Sequence, residues 1–169
     1  LREHGYDIDC LEVWKPNVDH LKKKNEKTNL FREIILGDVR NVDTLISRRY
    51  DIVVWYHGPE HVKKEELGNI LRKLSKLAVH FVIVACPWGK YVQGAYGGNP
   101  YETHLAYLHP EDFEGLEWNS LAVGVCDHPD GYVLGWKRKK RMNFILIFSD
   151  GWRADFANNP KLTPYLHKF

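Results

Sequence analysis

Three uninterrupted apolar runs constrain this chain most: Ile34-Ile35-Leu36, Ile52-Val53-Val54-Trp55 and Phe81-Val82-Ile83-Val84-Ala85. A strand with one wet face alternates apolar and polar side chains. A strand with no alternation is covered on both faces, as in a parallel sheet flanked by helices. The runs therefore predict strands over residues 33–36, 51–55 and 80–85, with similar strands at 8–13 and 144–148. Helical periodicity fills the intervals. Pro16 can open a helix that places Val18 and Leu21 on one face and Lys22 to Lys24 outside. Asn41 is a natural N-cap for a short helix carrying Val42, Leu45 and Ile46. The strongest period covers residues 60–78, where Leu67, Ile70, Leu71, Leu74 and Leu77 recur at helical spacing. Strand and helix in alternation specify an α/β fold with right-handed crossovers.

The pattern changes after Cys86. Residues 87–110 are rich in Gly, Tyr, Pro and His without a sustained period, and a loop of that length usually carries function. A short helix is expected over 110–116. Two strands follow at 120–125 and 132–136, joined by Asp127-His128-Pro129-Asp130-Gly131, a turn-rich pentad that predicts a hairpin and an antiparallel edge.

Composition removes several function classes. With 44% hydrophobic and 27% charged residues the chain has a globular balance. No apolar run approaches the roughly 20 residues that span a bilayer, and no signal peptide opens the chain, so a membrane partner is not expected and a cytoplasmic location is. A net charge of +2 is too small to argue for nucleic acid. The basic cluster Lys137 to Arg141 reads as a solvated strand end or an interdomain joint, with a phosphate patch or nuclear signal as the other options. Cys10, Cys86 and Cys126 are odd in number and form no C-x-x-C pair, which suits small buried thiols in a reducing compartment. The oligomeric state cannot be read.

Two acids end predicted parallel strands, Glu12 and Asp38, and ligands of open α/β sheets bind outside such ends. One carboxylate there can accept from both hydroxyls of a ribose, and the other from an adenine amino group. Gly37 would let the backbone approach the ligand. The plainer reading is that loops are polar and acids at strand ends are common.

Glu12, then Gly37-Asp38-Val39, then Tyr50-Asp51-Ile52-Val53-Val54 resembles the second, third and fourth strands of class I S-adenosylmethionine-dependent methyltransferases. Glu60-His61 is similar to the Glu-His pair after the fourth strand in that family. Pro87-Trp88-Gly89, Asn99-Pro100-Tyr101-Glu102-Thr103-His104 and Glu111-Asp112-Phe113 look like one of its subgroups. The resemblance covers residues 1–136. It implies a Rossmann-like three-layer sheet, mostly parallel with an antiparallel C-terminal hairpin, and S-adenosyl-L-methionine as cofactor. By the same match Glu12 holds the ribose, Asp38 and the backbone of Val39 address the adenine, and Trp14 covers the adenine face or simply staples the core. The acceptor is expected to be a small or sugar-like molecule. A base for it would come from His57, Glu60, His61, Glu102 or His104. H-G-P-E-H is not H-E-x-x-H, and Pro59 interrupts any helix across His57 and His61, so the spacing alone makes no zinc site.

The family's first strand and its glycine-rich turn have no counterpart here. The expectation is a domain at 1–140 that lacks its first strand and binds the cofactor weakly if at all. Residues 141–169 include Met142 and an apolar strand ending at Asp150, and they resemble the start of the alkaline phosphatase superfamily in its sulfatase and phosphodiesterase branches. That match implies Asp150 as the first ligand of a divalent metal. The strand at 144–148 could also fill the vacant place in the sheet. Two other readings stay open: a non-catalytic nucleoside-binding or interaction domain, and a hydrolase whose catalytic body lies beyond residue 169.

Overall fold

The computed structural model describes residues 5–139. The expectations placed on residues 141–169, including the strand at 144–148, Asp150 and its metal, lie outside the described residues. Within them the order is β1 (Asp9–Glu12), α1 (Lys15–Thr28), β2 (Glu33–Leu36), α2 (Val42–Leu45), β3 (Tyr50–Tyr56), α3 (Lys64–Leu77), β4 (Ala78–Pro87), α4 (Pro110–Glu114), β5 (Asn119–Val123) and β6 (Tyr132–Arg138). This is the expected α/β alternation.

The strands form two sheets. β1 and β2 pair in parallel, with Glu12 opposite Leu36. The other sheet has the order β3-β4-β6-β5, with β3 and β4 parallel. β6 is antiparallel to both its neighbours, so it alone runs against the rest of its sheet. The hairpin is therefore appended at one edge of the sheet as expected, with its second strand against β4 and β5 outermost. No ladder joins β1 to β3, although residues of both line one cavity.

Local chemistry explains the element ends. α1 starts with Pro16 in its first turn and stops at Asn29, whose left-handed φ of 46° lets its N–H reach the Asn25 carbonyl. The Asn25 side chain then bonds both the N–H and the carbonyl of Phe31, which turns the chain into β2. Asn41 precedes α2, but its side chain makes no cap. Asp38 instead accepts from Arg40 N–H and caps a 3-10 turn at Val39–Asn41.

The helix expected from residue 60 begins at Lys64. Pro59–His61 form a separate 3-10 turn, and the Glu60 carbonyl accepts from Leu105 N–H at 2.7 Å and Ala106 N–H at 3.1 Å. A carbonyl so engaged is not available to the next helical turn. Glu66 secures the true start by reaching back to Lys63 N–H. At the other end the Ala78 carbonyl accepts from Arg49 and Lys139, and Ala78 opens β4 instead of closing α3. Lys139, from the basic cluster, also bonds the Ser75 carbonyl, so this lysine completes a helix end.

The core lies between α3 and the four-stranded sheet, with Ile70, Leu71, Val82, Val84, Phe113 and Val133 all at most 1% exposed. Each such side chain contributes about 1.5–3 kcal/mol relative to exposure. Phe113 from α4 lies on β6, where a Cβ at Gly135 would meet its ring at 2.6 Å. Polar ties bridge the two sheets at the start of the strands. Tyr50 of β3 donates its hydroxyl to Asp9 of β1, which also receives a two-pronged contact from Arg32.

Candidate functional site

A cavity of about 310 Å³ lies near the strand ends between β1 and β3. Its floor is apolar, from Leu11, Ile52, Val53 and Val54, and its rim carries Glu12, Gly37, Asp38, Val39, Arg40, His57, His61, Tyr101 and Glu102. Parallel strands make this convergence inevitable. β1 and β2 run side by side, so the acids that end them emerge at one rim, and Gly37 N–H bonds the Glu12 carbonyl at 2.9 Å.

Glu12 Oε1 accepts from Trp14 N–H at 2.7 Å, which fixes the carboxylate at the start of α1. Its charge, after burial, pushes the neighbouring Cys10 thiol up to about 11. Trp14 itself is half-buried and does not line the cavity. Asp38 accepts from Arg40 twice, through the backbone N–H at 2.8 Å and the guanidinium at 2.7 Å. Arg40 in turn meets Glu66 of α3 at 3.0 Å. That contact, with the pull of Asp38, holds the Arg40 guanidinium firmly charged and keeps Glu66 below the usual carboxylate range. Gly37 lines the cavity, as its expected role requires, and it also has a packing basis. A Cβ there would crowd the Leu45 and Leu11 methyl groups, so a larger residue would displace these leucines.

The five residues nominated as bases come together at the mouth of β3 and the loop after β4. His57 leaves β3 with a φ of 46°, a left-handed backbone that costs energy in a non-glycine residue and recurs at functional sites. Beside it Gly58 makes room for the Trp55 indole, since a Cβ would overlap that ring. His57 Nδ1 is 3.0 Å from Glu60 Oε1, and His61 Nε2 is 3.9 Å from the same oxygen. His61 Nδ1 faces the Thr103 carbonyl at 3.2 Å, and His104 Nδ1 the Tyr91 carbonyl at 2.6 Å. Burial pushes the His104 imidazole below its ordinary range. Glu102 accepts from Asn99 at 3.1 Å and lines the cavity.

Sequence reasoning did not nominate Arg40, Asn99, Tyr101 or Tyr132. Arg40 is an ordinary charge in sequence, and only the approach of α3 gives it two carboxylates. Asn99 is 3% exposed, caps the turn at Pro100–Glu102 and orients both Tyr101 N–H and Glu102. Tyr132, at the start of β6, meets the His57 ring edge-on at 5.5 Å. That contact depends on β6 inserting beside β4, for which the local sequence carries no signal.

No protein-family model and no curated protein sequence matches the chain. Solved structures do. TehB from Haemophilus influenzae aligns with a TM-score of 0.58 at 15% identity, over 80% of this chain and 51% of that one. The magnesium protoporphyrin IX methyltransferase ChlM from Synechocystis PCC 6803, with bound S-adenosylhomocysteine, aligns at 0.55 and 13% over 82% and 66%. An S-adenosylmethionine-dependent methyltransferase from Clostridium acetobutylicum aligns at 0.59 and 10% over 78% and 74%. The chain thus spans between half and two thirds of the length of the first two. At these identities the likeness is one of architecture, and it establishes that residues 5–139 have the Rossmann-like α/β fold of class I methyltransferases, with mostly parallel strands and an antiparallel addition.

Proposed function

We propose that this chain belongs to an enzyme that transfers a methyl group from S-adenosylmethionine to a small-molecule or sugar-like acceptor. The observation that carries the reading is the placement of Glu12 and Asp38 on adjacent parallel strand ends, lining one cavity. The fit is specific at the nucleoside end. Glu12 spends one oxygen on Trp14 N–H, and its second oxygen makes no other hydrogen bond among the described residues, which suits a pair of vicinal hydroxyls. Val39 and Asp38 flank the same cavity and offer a carboxylate and a backbone N–H to an adenine edge. For the methionine end, no glycine-rich turn occurs among the described residues, so these residues hold the nucleoside half alone.

The bound cofactor would supply an electrophilic methyl on a sulfonium. The chain's own contribution is to align an acceptor behind that methyl and exclude water, which can supply most of the acceleration. For a hydroxyl acceptor a base is useful, and His57 fits best. It lines the cavity, and its Nδ1 lies 3.0 Å from Glu60 Oε1, a contact that orients the imidazole at the mouth. Glu102, His61 and His104 then shape the acceptor side of the mouth.

The test is a titration of 15N-labelled protein with S-adenosylhomocysteine up to millimolar concentration, which reads even weak binding. Saturable shifts centred on Glu12, Asp38 and Val39, and abolished in Glu12→Gln, are expected. Uniform or absent shifts at those amides would rule the reading out.

A further inference from the structure

Among the described residues, Glu60 is the one buried carboxylate with an oxygen that lacks a hydrogen-bond partner. It is 2% exposed, Oε1 contacts His57, and Oε2 has no hydrogen-bond partner. A buried carboxylate oxygen without a donor is costly and is normally paired or bound to a cation. Two histidines stand beside it. The Thr103 and Tyr91 carbonyls can only accept, so His61 and His104 each carry their proton on Nδ1 and present the Nε2 lone pair. A ring held through Nδ1 by a backbone carbonyl is how proteins orient an imidazole toward a metal.

One ligand atom each from Glu60, His61 and His104 lies within 4.8 Å of the others, and no other such group occurs among the described residues. Around a tetrahedral ion with bonds of about 2.05 Å the ligand atoms stand roughly 3.3 Å apart, so small side-chain rotations complete the site. The backbone is already in place. The Glu60 carbonyl receives Leu105 and Ala106 N–H, and His104 N–H bonds the Gln93 carbonyl, which locks the turn after β3 to the loop after β4.

We propose that Glu60, His61 and His104 bind a divalent transition ion of the zinc, manganese or iron(II) kind. Two imidazoles and one carboxylate suit such ions and leave coordination positions open. His61 also lines the cavity, so the ion would sit in its wall, where an acceptor with adjacent oxygens could reach it. The inference rests on this geometry and not on the nucleoside reading, because ion binding is measured without cofactor.

The experiment is titration of the full chain with Co²⁺, followed by visible absorption. One saturating equivalent is expected, displaced by Zn²⁺. Glu60→Gln keeps the shape and removes the anionic ligand, and it should weaken binding at least tenfold, as should His104→Gln. His128→Ala, in the exposed hairpin turn, should bind like the parent. A second measurement needs no variant: Zn²⁺ should shift the Nε2 resonances of His61 and His104 in the unaltered protein. Absence of saturable binding at millimolar Co²⁺, unshifted His61 and His104 resonances, or parent-like binding by both Gln variants would each overturn the proposal.

Discussion

Asp9 shows how much a single carboxylate does in this protein. Its side chain is 3% exposed and meets Arg32, Arg48 and the Tyr50 hydroxyl. The Arg32 contact is the main reason its carboxyl lies below the ordinary value of 3.8. A carboxyl depressed in the folded state stabilises the fold above its unfolded value, and that stabilisation fades as pH falls through the folded one. Asp9→Asn should therefore lower urea stability near neutrality, with the gap to the parent closing below about pH 4. A constant gap down to pH 3 would mean the ion contacts are irrelevant. Tyr50 behaves oppositely. Burial, then Asp9, pushes its phenol up to about 12, so its contribution persists through neutrality and is lost only as pH rises through that value. At the cavity rim, Glu12→Gln removes a charged acceptor worth about 1.5–3 kcal/mol. That predicts a loss of nucleoside affinity of at least tenfold, with thermal stability little changed. The sequence placed Glu12 and Asp38 at strand ends because a parallel strand's end is visible in its apolar run. It could not show that Arg40 is shared between Asp38 and Glu66, since the second contact waits on the approach of α3.

Elements were legible where periodicity alone defines them and obscure where a distant partner sets their limits. Strands β2 and β3 and helix α1 fall where the apolar runs and Pro16 put them. The start of α3 does not, because the Glu60 carbonyl is claimed by a loop far along the chain, and no local pattern announces that claim. The hairpin lies at an edge as expected, but which of its strands would sit against β4 was not legible; it is β6, whose glycine lets α4 approach. Two substitutions test this packing. Phe113→Ala, at a fully buried ring, should cost about 3–5 kcal/mol. Gly135→Ala should cost about 1–3 kcal/mol by overpacking against the same ring. Equilibrium urea unfolding measures both, and a Gly135→Ala protein as stable as its parent would show that the α4–β6 contact is loose.

At the scale of the molecule, a parallel two-stranded sheet and a mixed four-stranded sheet line one cavity and are tied at one end by Asp9 and Tyr50. The other end is left as a polar rim, where two carboxylates, an arginine and the histidines after β3 converge. The α/β class and strand directions were readable because helices and strands alternate along the chain. The division into two sheets follows from the lack of a ladder between β1 and β3. The account as a whole depends on Glu12 and Asp38 acting on one ligand. The most direct test is a crystal structure of the protein soaked with S-adenosylhomocysteine at saturating concentration. The ribose hydroxyls should lie within hydrogen-bond distance of Glu12, with the adenine against Asp38 and Val39. A nucleoside bound away from these residues, or none bound at saturation, would contradict the account.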